Sequence, residues 1–221
     1  MADTLLDPAE LNRQGITCLT KGSSQDAVQC FKHALLTMKA SLGKCSRHLG
    51  IPELVHPRLM YDSIDLQSQE DRFYICSRLM VFPSRKGAIE VQDYPLYSAL
   101  VLFNIGIAYQ TRSSRDTENE ERSTQDAIYF YNMSLHILTS LQPHYRPNVL
   151  APIRLAALNN LATATYQQGN ARTAHDILSE AYELLNLDLM MSEDNDVCQD
   201  DLDGVTLNAV MMRWTFAAAC A

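Results

Sequence analysis

The chain has 221 residues, 47% of them hydrophobic and 20% charged, and a formal net charge of -8. That balance excludes a disordered polyelectrolyte and argues against nucleic acid or an anionic membrane as partner, since both are held by clustered Lys and Arg. It suits one large folded domain, and the opening MADTLLDPAE, with neither basic leader nor apolar signal core, sets the expectation of a cytoplasmic protein, the nucleus left open.

Residues 8–42 read as two helices around a turn at Gly22, with Leu11, Gly15, Ala27, Phe31 and Ala34 at helical spacing. From 43 to 93 the periodicity fades among Gly43, Gly50, Pro52 and Pro57. The later run RFYICSRLMVFPSRKGAIEVQ sets aromatic and β-branched residues on both sides of PSRKG. This predicts a two-stranded β-hairpin between Phe73 and Val91. An isolated hairpin is marginal in water, so one face, Phe73, Ile75, Leu79 and Val81 or the alternate set, is expected to lie on neighbouring helices.

Residues 94–142 read as a second helix pair, carrying Leu102, Gly106, Tyr109, Ala127, Tyr131 and Ser134. The polar run TRSSRDTENEERSTQ forms the tip between its helices. Residues 149–187 form a third pair with Leu158, Ala162, Gly169, Ala174, Leu178 and Ala181. An acidic loop follows at 188–204. Its order does not fit a calcium-binding EF-hand, because Cys198 holds the fifth place and Gln199 the place that needs glycine. The final segment, 205–221, is apolar on most faces. It is shorter than the roughly 20 residues of a membrane span and includes Arg213, so it is expected to cap the last pair, or else to form a homo-oligomer contact.

The three pairs share one ruler. After Gly15 come Gly22, Ala27, Phe31 and Ala34 at steps of seven, five, four and three. After Ala162 come Gly169, Ala174, Leu178 and Ala181 at the same steps. The middle pair keeps the pattern from Gly106 with a longer tip. This pattern resembles the tetratricopeptide repeat, a helix-turn-helix of about 34 residues. The resemblance covers about half the chain and departs from the family at Gln14, Thr165 and Ser134. It implies an all-α chain, a short solenoid of helical hairpins in a right-handed superhelix, interrupted by the β-hairpin and closed by the capping helix. Small residues let paired helices approach, and Leu11, Leu102, Leu158, Phe31, Tyr131 and Leu178 fill the space that remains.

Asparagines recur on the first helices and on the last segment: Asn12, Asn104, Asn159, Asn160 and Asn208. LNNLA, from Leu158 to Ala162, is similar to kinesin-light-chain repeats. That resemblance implies a concave groove in which asparagines bond the main chain of an extended peptide or helix. An amide both donates and accepts, so it can hold a backbone whatever the side chains are. The expected lining is completed by Ile16, Phe103, Ile107, Thr163 and Tyr166. The competing expectation is that these amides bond to one another or to water. Binding of an acidic chaperone tail is not expected: the family's basic places read Asn12, Ile16, Ala156 and Asn160 here, with Asn104 alone conforming, and offer a carboxylate no charge.

No enzymatic signature is present: no nucleotide-binding glycine pattern, no nucleophile elbow and no CxxC pair. Cys45, His48 and His56 lack a fourth ligand for zinc, so no metal or cofactor is expected. The six cysteines are expected as reduced thiols, with Cys18 and Cys30 near packing positions. The combined expectation is a non-enzymatic protein-interaction module whose partner is a protein or peptide.

Overall fold

The computed structural model describes residues 7–44, 60–63, 75, 76, 78–81, 91–113, 119–145, 147–186 and 203–211. Six helices are α1 (Pro8–Thr20), α2 (Ser24–Lys44), α3 (Tyr94–Ser113), α4 (Glu120–Leu141), α5 (Pro147–Gln167) and α6 (Ala171–Leu184). A seventh, α7, spans 203–211. The described residues are all-α apart from one short two-stranded ladder, and consecutive helices pack as hairpin-like pairs: α1 with α2, α3 with α4, α5 with α6. No repeat or solenoid is detected.

Local chemistry explains the ends of these helices. Asp7 accepts from the Ala9 amide at 3.0 Å and Pro8 opens α1, where its missing N–H costs nothing. Gly22 and Gly169 close the first helices of two pairs with φ of 84° and 80°. At both turns the glycine amide reaches back three residues and the next amide five: Gly22 to Leu19 and Ser23 to Cys18, Gly169 to Tyr166 and Asn170 to Thr165. This left-handed cap satisfies orphan carbonyls and requires glycine.

The ruler residues are the packing residues. Ala27, Ala127, Ala174, Phe31 and Tyr131 are fully buried, with Leu11, Leu102, Leu158 and Leu178 close behind. A Cβ on Gly15 would stand 2.5 Å from Cε1 of Phe31, and one on Gly106 would stand 2.7 Å from Cδ1 of Tyr131, so each aromatic ring occupies the space its glycine vacates. Ser134 donates to the Ala99 carbonyl at 2.8 Å and so ties α4 to α3.

One expectation is corrected. A strand does form at Arg78–Val81 (β2), yet its antiparallel partner is β1, Met60–Ser63, upstream of it. Among the described residues β2 pairs with no downstream strand, and PSRKG itself, within residues 82–90, lies outside the described residues. Leu79 and Met80 are both buried, which a strand with one covered face would not give. The reason is that β2 is enclosed: β1 lies along one edge, and α1 and α3 both contact it. Side chains of Phe73 and Val81 are outside the description, as are the acidic loop through 202, residues 212–221, and Cys45, His48 and His56.

Two apolar clusters fill the interior. The larger joins α1 to α4, β2 and one side of α5 through Leu161, and the smaller joins α5, α6, Cys76 and Val205 of α7. Where α4 ends, Tyr145 comes beside Asp93 and Tyr97. Burial first, then those two neighbours, pushes its phenol from 10.0 up to about 12. The folded chain therefore holds this proton more tightly than the unfolded one. That contribution is complete below pH 10 and is lost as pH rises through 12. The urea midpoint is expected to fall across that window, and to fall less in Tyr145→Phe; equal slopes would contradict it.

Candidate functional site

The asparagines form two buried, hydrogen-bonded groups, Asn12 with Asn104 and Asn159 with Asn160 and Asn208, together a polar seam inside the molecule. Asn12, Asn104, Asn159, Asn160 and Asn208 are all 0% exposed. Five buried amides in apolar surroundings would be costly unless bonded. Here they are bonded, and three of them, Asn12, Asn104 and Asn160, reach main-chain groups of Met80 or Cys76 in this same chain.

Asn104 Oδ1 accepts from the Met80 amide at 3.0 Å, and its Nδ2 donates to the Met80 carbonyl at 3.0 Å. Asn160 repeats the grip four residues upstream: its Oδ1 accepts from the Cys76 amide at 2.8 Å and its Nδ2 donates to the Cys76 carbonyl at 2.9 Å. In an antiparallel pair, successive residues aim their main-chain groups to opposite edges. Met80, paired with Tyr61, therefore spends its groups on α3, and its strand neighbours face β1. The carboxamides stand in for the strand that would otherwise cover this edge.

The remaining amides brace these two. Asn12 donates to the Met80 carbonyl at 3.0 Å, and its own Oδ1 accepts from Asn104 at 3.1 Å. Asn208 on α7 donates to Asn159 Oδ1 at 2.7 Å. Asn159 in turn donates to Asn160 Oδ1 at 3.2 Å and to the Cys76 sulfur at 3.6 Å. The second Nδ2 proton of Asn160 reaches the Tyr131 hydroxyl at 3.4 Å, and that hydroxyl donates to Gln110 Oε1 at 2.7 Å. Burial pushes the Tyr131 phenol far up and keeps it protonated, against the opposing bond from Asn160. Both amides that grip the strand are thereby saturated and fixed in orientation.

The rest of the expected lining is also placed. Ile16, Phe103 and Ile107 are buried in the larger apolar cluster. Thr163 is buried and donates to the Asn159 carbonyl of its own helix at 2.9 Å, and Tyr166 is half-buried. Ile16, Phe103 and Ile107 share the larger cluster with Leu79 and Met80, and Tyr166 packs against the smaller one with Cys76. Cys76, Met80, Gln110 and the Tyr131 hydroxyl were not singled out for this seam. Gln110 and Tyr131 carried a faint signal, since a polar atom on a packing position needs a partner. The main-chain grip on Cys76 and Met80 carried none.

A second surface lies at the far end. α6 and α7 enclose an open cleft of about 420 Å3 lined by residues that include His175, Leu178, Tyr182, Thr206 and Val210. Beside it Tyr182, Leu207, Val210 and Met211 are exposed. Among the described residues, no three His, Cys, Asp or Glu converge as metal ligands, and no helix is long and apolar enough to cross a membrane. Compared with protein-family models, curated proteins and solved structures, the chain matches none.

Proposed function

We propose that this protein is a non-enzymatic interaction module of tetratricopeptide-like helical hairpins, and that its asparagine row takes the extended main chain of a protein partner in place of residues 75–81. One observation supports the reading above the others: Asn104 and Asn160 each hold both the N–H and the C=O of a single residue, Met80 in strand β2 and Cys76 upstream of it. Recognition through the backbone makes few demands on side chains. It does demand a free N–H at the two gripped positions, four residues apart, so proline is barred from both.

The test uses two fluorescein-labelled peptides that copy residues 72–83 of this chain. One is unmodified and the other is N-methylated at the residues matching Cys76 and Met80. The tethered segment competes at an effective concentration on the order of millimolar, so the titration must reach that range. The unmodified peptide is expected to bind at least roughly tenfold more tightly, the equivalent of about 1.4 kcal/mol. Equal binding, or no binding at millimolar peptide, removes the reading.

A second reading rests on the exposed Tyr182, Leu207, Val210 and Met211, which would suit contact with another copy of the chain. Light scattering of the full chain against Val210→Lys with Met211→Lys decides it. A dimer that becomes a monomer supports self-association, and a monomer in both cases ends it.

A further inference from the structure

The main-chain grip leaves side chains unspecified, but the walls around it do not. Leu79 and Met80 are adjacent residues of β2 and stand 0% and 1% exposed. Neighbours in a strand point to opposite faces, so both faces of β2 are covered there. The two side chains share the larger apolar cluster with Ile16, Phe103 and Ile107. Among the described residues no Lys, Arg, Asp or Glu is buried, so a charge brought to either place would meet no buried counter-charge.

The demand differs at Cys76. This residue is 3% exposed and lies in the smaller cluster with Ala151, Leu155, Leu158 and Ala162 of α5. Asn160 holds its main chain at 2.8 and 2.9 Å, and its sulfur accepts from Asn159 Nδ2 at 3.6 Å. The thiol thus ends against the neighbouring amide. A further carbon beyond the sulfur on the same course would run into that amide, whereas a short side chain with a lone pair fits and bonds.

We propose that the groove selects its ligand by side chain as well as by backbone, taking a segment with a small acceptor-bearing residue, cysteine or serine, at the place of Cys76 and two adjacent large aliphatic residues three and four places on. The selection rests on the reading that a partner's main chain replaces residues 75–81, and it narrows that reading to one class of peptide. The two intervening positions are left open. Serine serves at the first place because its hydroxyl is as short as the thiol and accepts from an amide. Leucine there would push on α5 or break the Asn160 grip. An asparagine in place of either aliphatic residue would carry an amide into apolar walls.

The experiment titrates the full chain, under reducing conditions, with fluorescein-labelled peptides copying residues 72–83. They are the parent, Cys76→Ser, Cys76→Leu, Leu79→Asn, Met80→Asn, and the parent N-methylated at the residues matching Cys76 and Met80. The changes sit in the peptides, so the folded chain is the same throughout. The expected result is that Cys76→Ser binds within roughly threefold of the parent, and that Cys76→Leu, Leu79→Asn and Met80→Asn are each weaker by at least roughly tenfold. If N-methylation weakens binding but any of those last three binds like the parent, or Cys76→Ser is as weak as Cys76→Leu, the selectivity is overturned and the backbone grip stands. If the parent does not bind at millimolar peptide, or N-methylation changes nothing, the underlying reading fails and the selectivity with it.

Discussion

Replacing Asn160 with alanine is expected to cost about 3–5 kcal/mol of stability, lowering the melting temperature by about 8–15 °C. The substitution strands the Cys76 amide and carbonyl in a dry interior, where each unpaired group costs about 1–3 kcal/mol. It also takes one partner from the Tyr131 hydroxyl and one from Asn159. Asn132→Ala is the control. Asn132 is exposed on α4 and donates to the Ile128 carbonyl of its own helix, so its loss should stay within about 0.5 kcal/mol. Hydrogen exchange gives a local readout: the Cys76 amide should exchange much faster in Asn160→Ala, and the Met80 amide, still held by Asn104, should be less affected. If the two alanine variants melted together, the seam would contribute no stability.

Gly106→Ala is expected to destabilise by about 2–4 kcal/mol, although alanine is the better helix former by about 1 kcal/mol. The new Cβ would overlap the Tyr131 ring, at 2.7 Å from Cδ1 and 2.9 Å from Cζ. That ring has nowhere to go. Its hydroxyl is tied to Gln110 and Asn160, and Phe103 lies against it at 5.7 Å between centroids. Gly15→Ala should cost less, because Phe31 has no hydroxyl anchor and can tilt. The third pair suggests the remedy: it carries Ala162 with Leu178 at the matching places, both well buried. Gly15→Ala combined with Phe31→Leu should therefore recover more than half of what Gly15→Ala alone loses. Thermal melts of the four chains check this, and a double variant no better than the single would show that volume exchange is not what the glycine provides.

Helix pairs, their glycine caps and their small-against-large packing were legible in the residues themselves. Each depends on contacts a turn or a hairpin apart, and the pattern recurs, so spacing alone carries it. The asparagines were legible as a row at two adjacent places of the helices, and the bonds they make join Asn12 to Asn104 and Asn159 to Asn160 and Asn208. The main chain they hold was not legible. The bonds that decide it join Asn12 to Met80 and Asn160 to Cys76, 68 and 84 positions apart in the chain. An amide offers the same donor and acceptor to a partner's backbone, to water or to its own chain, and nothing local distinguishes them. Strand β2 shows the same division. Its extended character was readable from Arg78 to Val81, but the turn-like PSRKG pointed downstream and the pairing went upstream to Met60–Ser63. Pairing is set by which edge the packed helices leave open, and only the assembled tertiary structure defines that edge.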